Sequence, residues 1–287
     1  MKSGAASNVR RYPWLQFSAS LFGWLPVFFL YFNSLVSLSD AILLGSVYYL
    51  SVTICEVPSG YFSDRIGRRI TIILSALGFV TANFAFLLAS GFASLVLGQF
   101  LLALGMAFLS GTDSAFLYDS LKALDREAEY ADREAQGEKY GMIGLALASL
   151  AGGFLGLADL RLPYAFSLLG ALWMLWLALR CHEPPVTIAD AIQTGSFRST
   201  VGECLVLMRD RVLAGLFGVV VLMYCLEHIA DEFYQPYLRL LDLYWESGDL
   251  SAPVSGIIIG ISMFGGALGA SLSIGLYRRL GFRALIY

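Results

Sequence analysis

Few side chains in this sequence are equipped for chemistry, and most of those interrupt long apolar runs. Asp113 falls in Ser110-Gly-Thr-Asp-Ser-Ala, a polar patch inside an otherwise apolar stretch, and Glu56 falls near the end of another. A carboxylate in apolar surroundings must take up a proton, hold a cation or find a hydrogen-bonding partner. Asp113 therefore binds a proton, a cation or a polar substrate, or else it is a structural tie to Arg65 or Lys122. Glu227, His228, Asp231 and Glu232 gather ahead of Phe233-Tyr-Gln-Pro236. Glu227 and Asp231 share one helix face, as do His228 and Glu232, and histidine titrates near neutral pH. This cluster is either a proton or cation site, an outer gate, or a helix end whose acids face water. No enzyme is expected: the chain has no H-E-x-x-H, nucleophile elbow or P-loop. Neither a metal nor a cofactor is expected.

The elements that carry these residues follow from composition. The chain has 287 residues, 57% hydrophobic and 14% charged. Soluble domains carry about 25% charged residues, so this chain lacks the polar groups to cover a water-facing surface. Apolar stretches at 14–37, 41–61, 70–90, 93–117, 140–157, 163–181, 212–237 and 253–277 approach or exceed the roughly 20 residues that a bilayer core demands. Their length predicts helices, which satisfy every backbone group internally in lipid. A renewed apolar run opens at Phe282 and is cut at Tyr287. The first stretch is too long for a cleavable leader and is expected to stay as a signal anchor.

Loop charges set the orientation. Of the 19 Lys and Arg, all but Arg161 and Arg239 fall on the side of the amino terminus. The positive-inside rule makes that side cytoplasmic. No basic stripe suggests nucleic acid; the expected partners are the lipid bilayer and a small-molecule substrate. Cys55, Cys181, Cys204 and Cys225 form no C-x-x-C pair and read as reduced and structural. The longest inner connection, 182–211, holds Pro184 and Pro185 and reads as a linker between a six-helix half at 1–181 and a second half begun at 212–287. The charged connection 119–139 reads as a helix along the membrane surface, and Asp119 as a boundary charge capping a helix.

One connection is distinctive. Between the second and third stretches the sequence reads Gly60-Tyr-Phe-Ser-Asp64-Arg65-Ile-Gly67-Arg68-Arg69. This resembles the cytoplasmic loop signature G-x-x-x-D-R-x-G-R-R of the major facilitator superfamily, in both its residues and its place in the chain. Gly60 is expected to allow close helix approach, Asp64 to need a cation or a helix amino terminus, Gly67 to make the turn, and Arg68 and Arg69 to anchor it. The resemblance implies a gating latch between two six-helix halves in Gly60, Asp64, Arg65, Gly67, Arg68 and Arg69. It also implies a weaker second copy, which Arg278-Arg279-Leu280-Gly281-Phe282-Arg283 supplies, with Arg278 where the acid would be.

The same resemblance implies an all-α membrane fold, with a six-helix first half and an incomplete second half. Spans one, four and seven of the family line a central cavity, which makes Asn33, Gln99, Asp113, Tyr224, Glu227 and Asp231 cavity candidates beside Glu56 and His228. Asn33 is the polar exception in an aromatic first span. Gln99, before Ala103 and Gly105, stands where proton-coupled members carry Arg, and it bonds either a substrate or a neighbouring helix. Gly144, Gly152 and Gly153 match part of the G-x-x-x-G-P-x-x-G-G pattern of drug antiporters, with Ala148 and Ser149 in place of the central Gly-Pro; without the proline they read first as positions of close helix packing. The implied function is secondary active transport of a small organic solute by alternating access, with proton-coupled efflux, in a bacterial inner membrane with the amino terminus cytoplasmic. The family has twelve spans, so the alternative is a truncated, transport-inactive membrane protein or a membrane interaction partner.

Overall fold

The computed structural model describes residues 2–185, 202, 206, 209–242 and 250–286; for residues 57, 224–225, 227–234, 236, 238–242 and 273–286 the description covers the backbone only. Residues 1–185 with 247–287 form one compact unit and residues 186–246 another. The described residues are helical, with no strand among them. The first unit contains α1 (Lys2–Ala19), α2 (Phe28–Leu35), α3 (Leu38–Ile66), α4 (Arg68–Leu87), α5 (Phe92–Leu109), α6 (Thr112–Lys122), α7 (Tyr130–Leu155), α8 (Leu162–Arg180) and α10 (Ser251–Ile286). The second contains α9 (Arg211–Asp242), whose start is fixed by Asp210 accepting from the backbone N–H of Val212 and Leu213.

Five helical stretches among the described residues are long and apolar enough to cross a membrane: 38–56 of α3, α4, the run Phe92–Lys122 through α5 and α6, α8, and 251–272 of α10. The other expected spans differ for identifiable reasons. The first is broken between α1 and α2, where Gly23 and Pro26 stand in a turn and Pro26 has no N–H to donate. The fifth is the carboxyl-terminal part of a longer helix whose first turns carry Asp132, Arg133, Glu134, Glu138 and Lys139. α9 is apolar over Arg211–Met223, beyond which most side chains lie outside the described residues.

The surface helix expected over 119–139 is not formed. Asp119 ends up inside α6, a single 3-10 turn spans Glu127–Glu129, and residues from Tyr130 onward already belong to α7. Arg126 donates to both Glu129 oxygens at 2.6 and 2.7 Å, and Arg133 reaches the same carboxylate at 3.2 Å. These bonds, with that from Arg126 the stronger cause, hold the Glu129 carboxyl down at about 2. Residues 278–283, expected to repeat the first loop, continue α10 as helix; their side chains lie outside the described residues.

Apolar burial drives helix association weakly in lipid, so packing and hydrogen bonds must hold the bundle. Tyr31, Phe79, Phe86 and Tyr164 are buried in its core, and the Tyr31 hydroxyl donates to the Phe86 carbonyl at 2.6 Å. Close approach is concentrated on α7. A β-carbon at Gly152 would run into the Gly23 carbonyl, and one at Gly144 would lie 2.6 Å from the Phe17 carbonyl. Gly153 meets α10 instead, with Gly256 and Pro253 at 3.1 and 3.2 Å from the β-carbon position.

Candidate functional site

Two polar assemblies stand out in the first unit. The first surrounds the α3–α4 turn. Gly67 has φ +112°, a region that side-chain-bearing residues rarely adopt, and its N–H closes α3 on the Ser63 carbonyl at 3.2 Å. The same absence of a β-carbon admits a carboxylate: Glu183, just past α8, accepts from the backbone N–H of Arg68 at 2.6 Å and of Arg69 at 3.0 Å. A β-carbon on Gly67 would stand 2.7 Å from Glu183 Oε1. Glu183 thus supplies from a distant element the acceptor that a glycine N-cap cannot provide, and it complements the positive end of α4. Burial raises its carboxyl above the ordinary 4.5; the two N–H donors and the neighbouring arginines pull it back only in part.

Arg68 is the hub of this assembly. Its Nη1 lies 2.7 Å from Asp64 Oδ1 and donates to Ser63 Oγ at 2.9 Å, and its Nε donates to Asp119 Oδ2 at 3.3 Å. Arg69 reaches the other way and donates to the Leu179 carbonyl at 2.9 Å, at the end of α8. Arg65 places its guanidinium 4.9 Å from the centre of the Tyr61 ring. The expected latch residues therefore tie α3, α4, α6 and α8 together. A β-carbon at Gly60 would meet no described atom within 4 Å. One expectation is corrected: Asp119 is the second anion of Arg68 rather than a helix cap.

The second assembly begins where the fourth expected span breaks. Gly111 sits at φ +70°, ends the path of α5 and starts α6. Hydrogen bonds from this break and the start of α6 tie it to α3: Ser110 Oγ donates to Glu56 Oε1 at 3.0 Å, and Thr112 Oγ1 to Ser63 Oγ at 3.1 Å. Asp113 lies in the first turn of α6, where its Oδ2 accepts from Gln16 Nε2 at 2.7 Å. Gln16 also donates to the Tyr12 hydroxyl at 2.9 Å, Tyr12 donates to Glu134 Oε2 at 3.0 Å, and Ser114 donates to Glu134 Oε1 at 2.5 Å. Asp113 and Glu134 are thus joined through neutral donors on α1 and α6. Among the described residues Arg65 forms no ion pair with Asp113, and the hydrogen bond from Gln16 ties α6 to α1.

The remaining candidates are dispersed. Gln99 is buried and donates to the Leu44 carbonyl on α3 at 3.3 Å, the neighbouring-helix alternative. Asn33 is half-buried on α2. Tyr224, Glu227, His228 and Asp231 fall within α9, and their side chains lie outside the described residues. Sequence reasoning missed Glu183, Tyr12, Gln16 and Glu134. Glu183 had one signal, its place directly before Pro184-Pro185 at a helix end. Tyr12 and Gln16 stood at the edge of the predicted first span, and Glu134 was given to the surface helix.

Comparisons with known proteins follow this geometry. A family profile described as Major Facilitator Superfamily matches residues 14–287. No curated protein sequence matches the chain. Among solved structures, a variant of the nucleoside transporter NupG is similar at TM-score 0.72 and 18% identity, over 96% of this chain and 69% of that one. The D-xylose-proton symporter is similar at TM-score 0.65 and 16% identity, over 97% of this chain and 70% of that one. The peptide transporter POT in complex with sulfate gives TM-score 0.63 and 14% identity, over 98% of this chain and 69% of that one. At these identities the likeness is one of fold.

Proposed function

The chain belongs to the Major Facilitator Superfamily, a family of transporters rather than enzymes, and from that premise we propose that it moves a small organic solute across the membrane by alternating access coupled to protons. The observation that carries the proposal is Asp113. Its carboxylate has a neutral amide for a partner and a second carboxylate, Glu134, in the same hydrogen-bonded chain. A carboxylate placed in a span and bonded to a neutral amide is suited to gaining and losing a proton as the surroundings change. The assembly around Arg68 is the latch that holds one of the two end states. Export is proposed on a partial match alone, since Gly144, Gly152 and Gly153 keep the drug-antiporter pattern without its central Gly-Pro. The excess of Lys and Arg on one side favours a cytoplasmic amino terminus in a bacterial inner membrane.

The test uses the full chain in proteoliposomes loaded with a pH-sensitive dye. Nucleosides, pentoses and dipeptides, the solute classes of the structural neighbours, are added in turn. A solute that the wild type carries moves protons with it; Asp113→Asn abolishes that proton movement and flattens the pH dependence of uptake, while solute exchange at equal concentrations persists. An Asp113→Asn variant whose transport keeps the wild-type pH profile overturns the assignment.

A further inference from the structure

The carboxyl end of α8 carries a set of cations that the latch does not use. Arg11, on α1, donates through Nη1 to the Arg180 carbonyl, and Arg10 beside it is exposed. The Arg180 guanidinium is exposed and lies 4.1 Å from the centre of the Trp176 ring. Among the described residues no carboxylate pairs with Arg10, Arg11 or Arg180. The helix end offers Arg11 Nη1 a carbonyl, and no described residue accepts a hydrogen bond from its Nε or Nη2. Directly beneath, Trp14, Trp173 and Trp176 are 46%, 36% and 48% exposed, and Trp14 packs 6.2 Å from Trp173.

We propose that Arg11 and Arg180, above the tryptophans of α1 and α8, bind the phosphate of an anionic glycerophospholipid. Guanidinium donors match phosphate oxygens in fork geometry. Tryptophan prefers the headgroup level, with its ring among the upper acyl carbons. A soluble phosphate would have no use for the exposed aromatic surface, so the occupant is a lipid. Its site is independent of the transported solute.

Bromine on a lipid chain quenches nearby tryptophan. The full chain is reconstituted in phosphatidylcholine containing increasing brominated phosphatidylglycerol or, in parallel, brominated phosphatidylcholine. Each protein's signal is normalised to its own value without bromine. Phosphatidylglycerol should quench preferentially, with about fivefold in apparent affinity from each arginine. Arg180→Gln touches only the Trp176 contact, so the fold survives it, and it should lower the preference about fivefold. Arg133→Gln, which removes an equal charge at a carboxylate-paired arginine on α7, should leave the preference unchanged. Equal quenching by the two lipids, an Arg180→Gln curve that overlays the wild type, or an equal loss in Arg133→Gln overturns the site. So does removal of the preference by 10 mM inorganic phosphate, which would mark a site for the free anion.

Discussion

At Gly67 a single hydrogen atom in place of a side chain does two jobs, since the backbone turns through φ +112° and a carboxylate fits against it. Gly67→Ala should cost about 1–3 kcal/mol from the backbone alone, with more from the displaced Glu183; a lowered thermal midpoint in detergent checks it. Glu183→Ala removes the acceptor at the start of α4 and should cost about 1 kcal/mol, as lost caps do. Glu183→Gln keeps an acceptor oxygen and should cost less. The two variants also differ with pH. Burial raises the folded Glu183 carboxyl above 4.5, so folding takes up a proton there. Its favourable contribution is complete below about 4.5 and is lost as pH rises through the folded value. Wild-type stability relative to Glu183→Gln should therefore decline with rising pH across that window, as thermal unfolding at several pH values would reveal. Arg68 and Asp119 are 21% and 24% exposed, and a double-mutant cycle with Arg68→Gln and Asp119→Asn should give a coupling of about 0.5–3 kcal/mol. Additive losses would mean that Arg68 serves Asp64 alone. That Asp64 needs a cation was legible in the sequence, and Arg68 supplies it from four residues on, across the Gly67 turn. The role of Glu183 was not, since it stands 115 residues from Arg68 and only the folded chain brings them together.

Between helices, the sequence was a good guide to which segments are helical and a poor one to where they break. Ser110-Gly111-Thr112 was legible as a polar patch, but its left-handed glycine, which divides a span into α5 and α6, leaves no trace in hydropathy. The first span reads as one apolar run for the same reason. Glu134 was misplaced because the charged stretch 119–139 reads as one surface helix, whereas the chain turns at Glu127–Glu129 and α7 begins at Tyr130. The glycines of α7 were recognised as packing positions, and the structure distributes them over two neighbours, α1 and α10. Gly152→Ala should lose about 1–3 kcal/mol by forcing a methyl onto the Gly23 carbonyl. Gly218→Ala on α9, where no described atom lies within 4 Å of the new carbon, should be neutral or gain up to about 1 kcal/mol in helix propensity. Unfolding of the pair in parallel separates packing from propensity.

For the molecule as a whole, the family and the all-α fold were legible from the apolar runs and the residues 60–69. What the sequence left open was which polar residues gather. Asp113 was singled out by its apolar surroundings, yet its partners come from α1 and α7, and no spacing rule connects those helices. Sidedness has a direct test. Asp125 is exposed, in the connection between α6 and α7, and is paired with Lys2. With the native cysteines replaced by serine, Asp125→Cys should react with a membrane-impermeant maleimide in inside-out vesicles and resist it in intact cells. The reverse pattern would place the amino terminus outside.

The clasp between Glu183 and the start of α4 has a consequence for how the protein is made. At about 5–20 residues per second, a ribosome that has finished Arg68 needs on the order of 10 s more to reach Glu183. Throughout that interval α4 sits in the bilayer with its first N–H groups unclaimed. Nascent chains arrested before Glu183 should be cut by a membrane protease between α3 and α4, and chains arrested after it has entered the membrane should be spared.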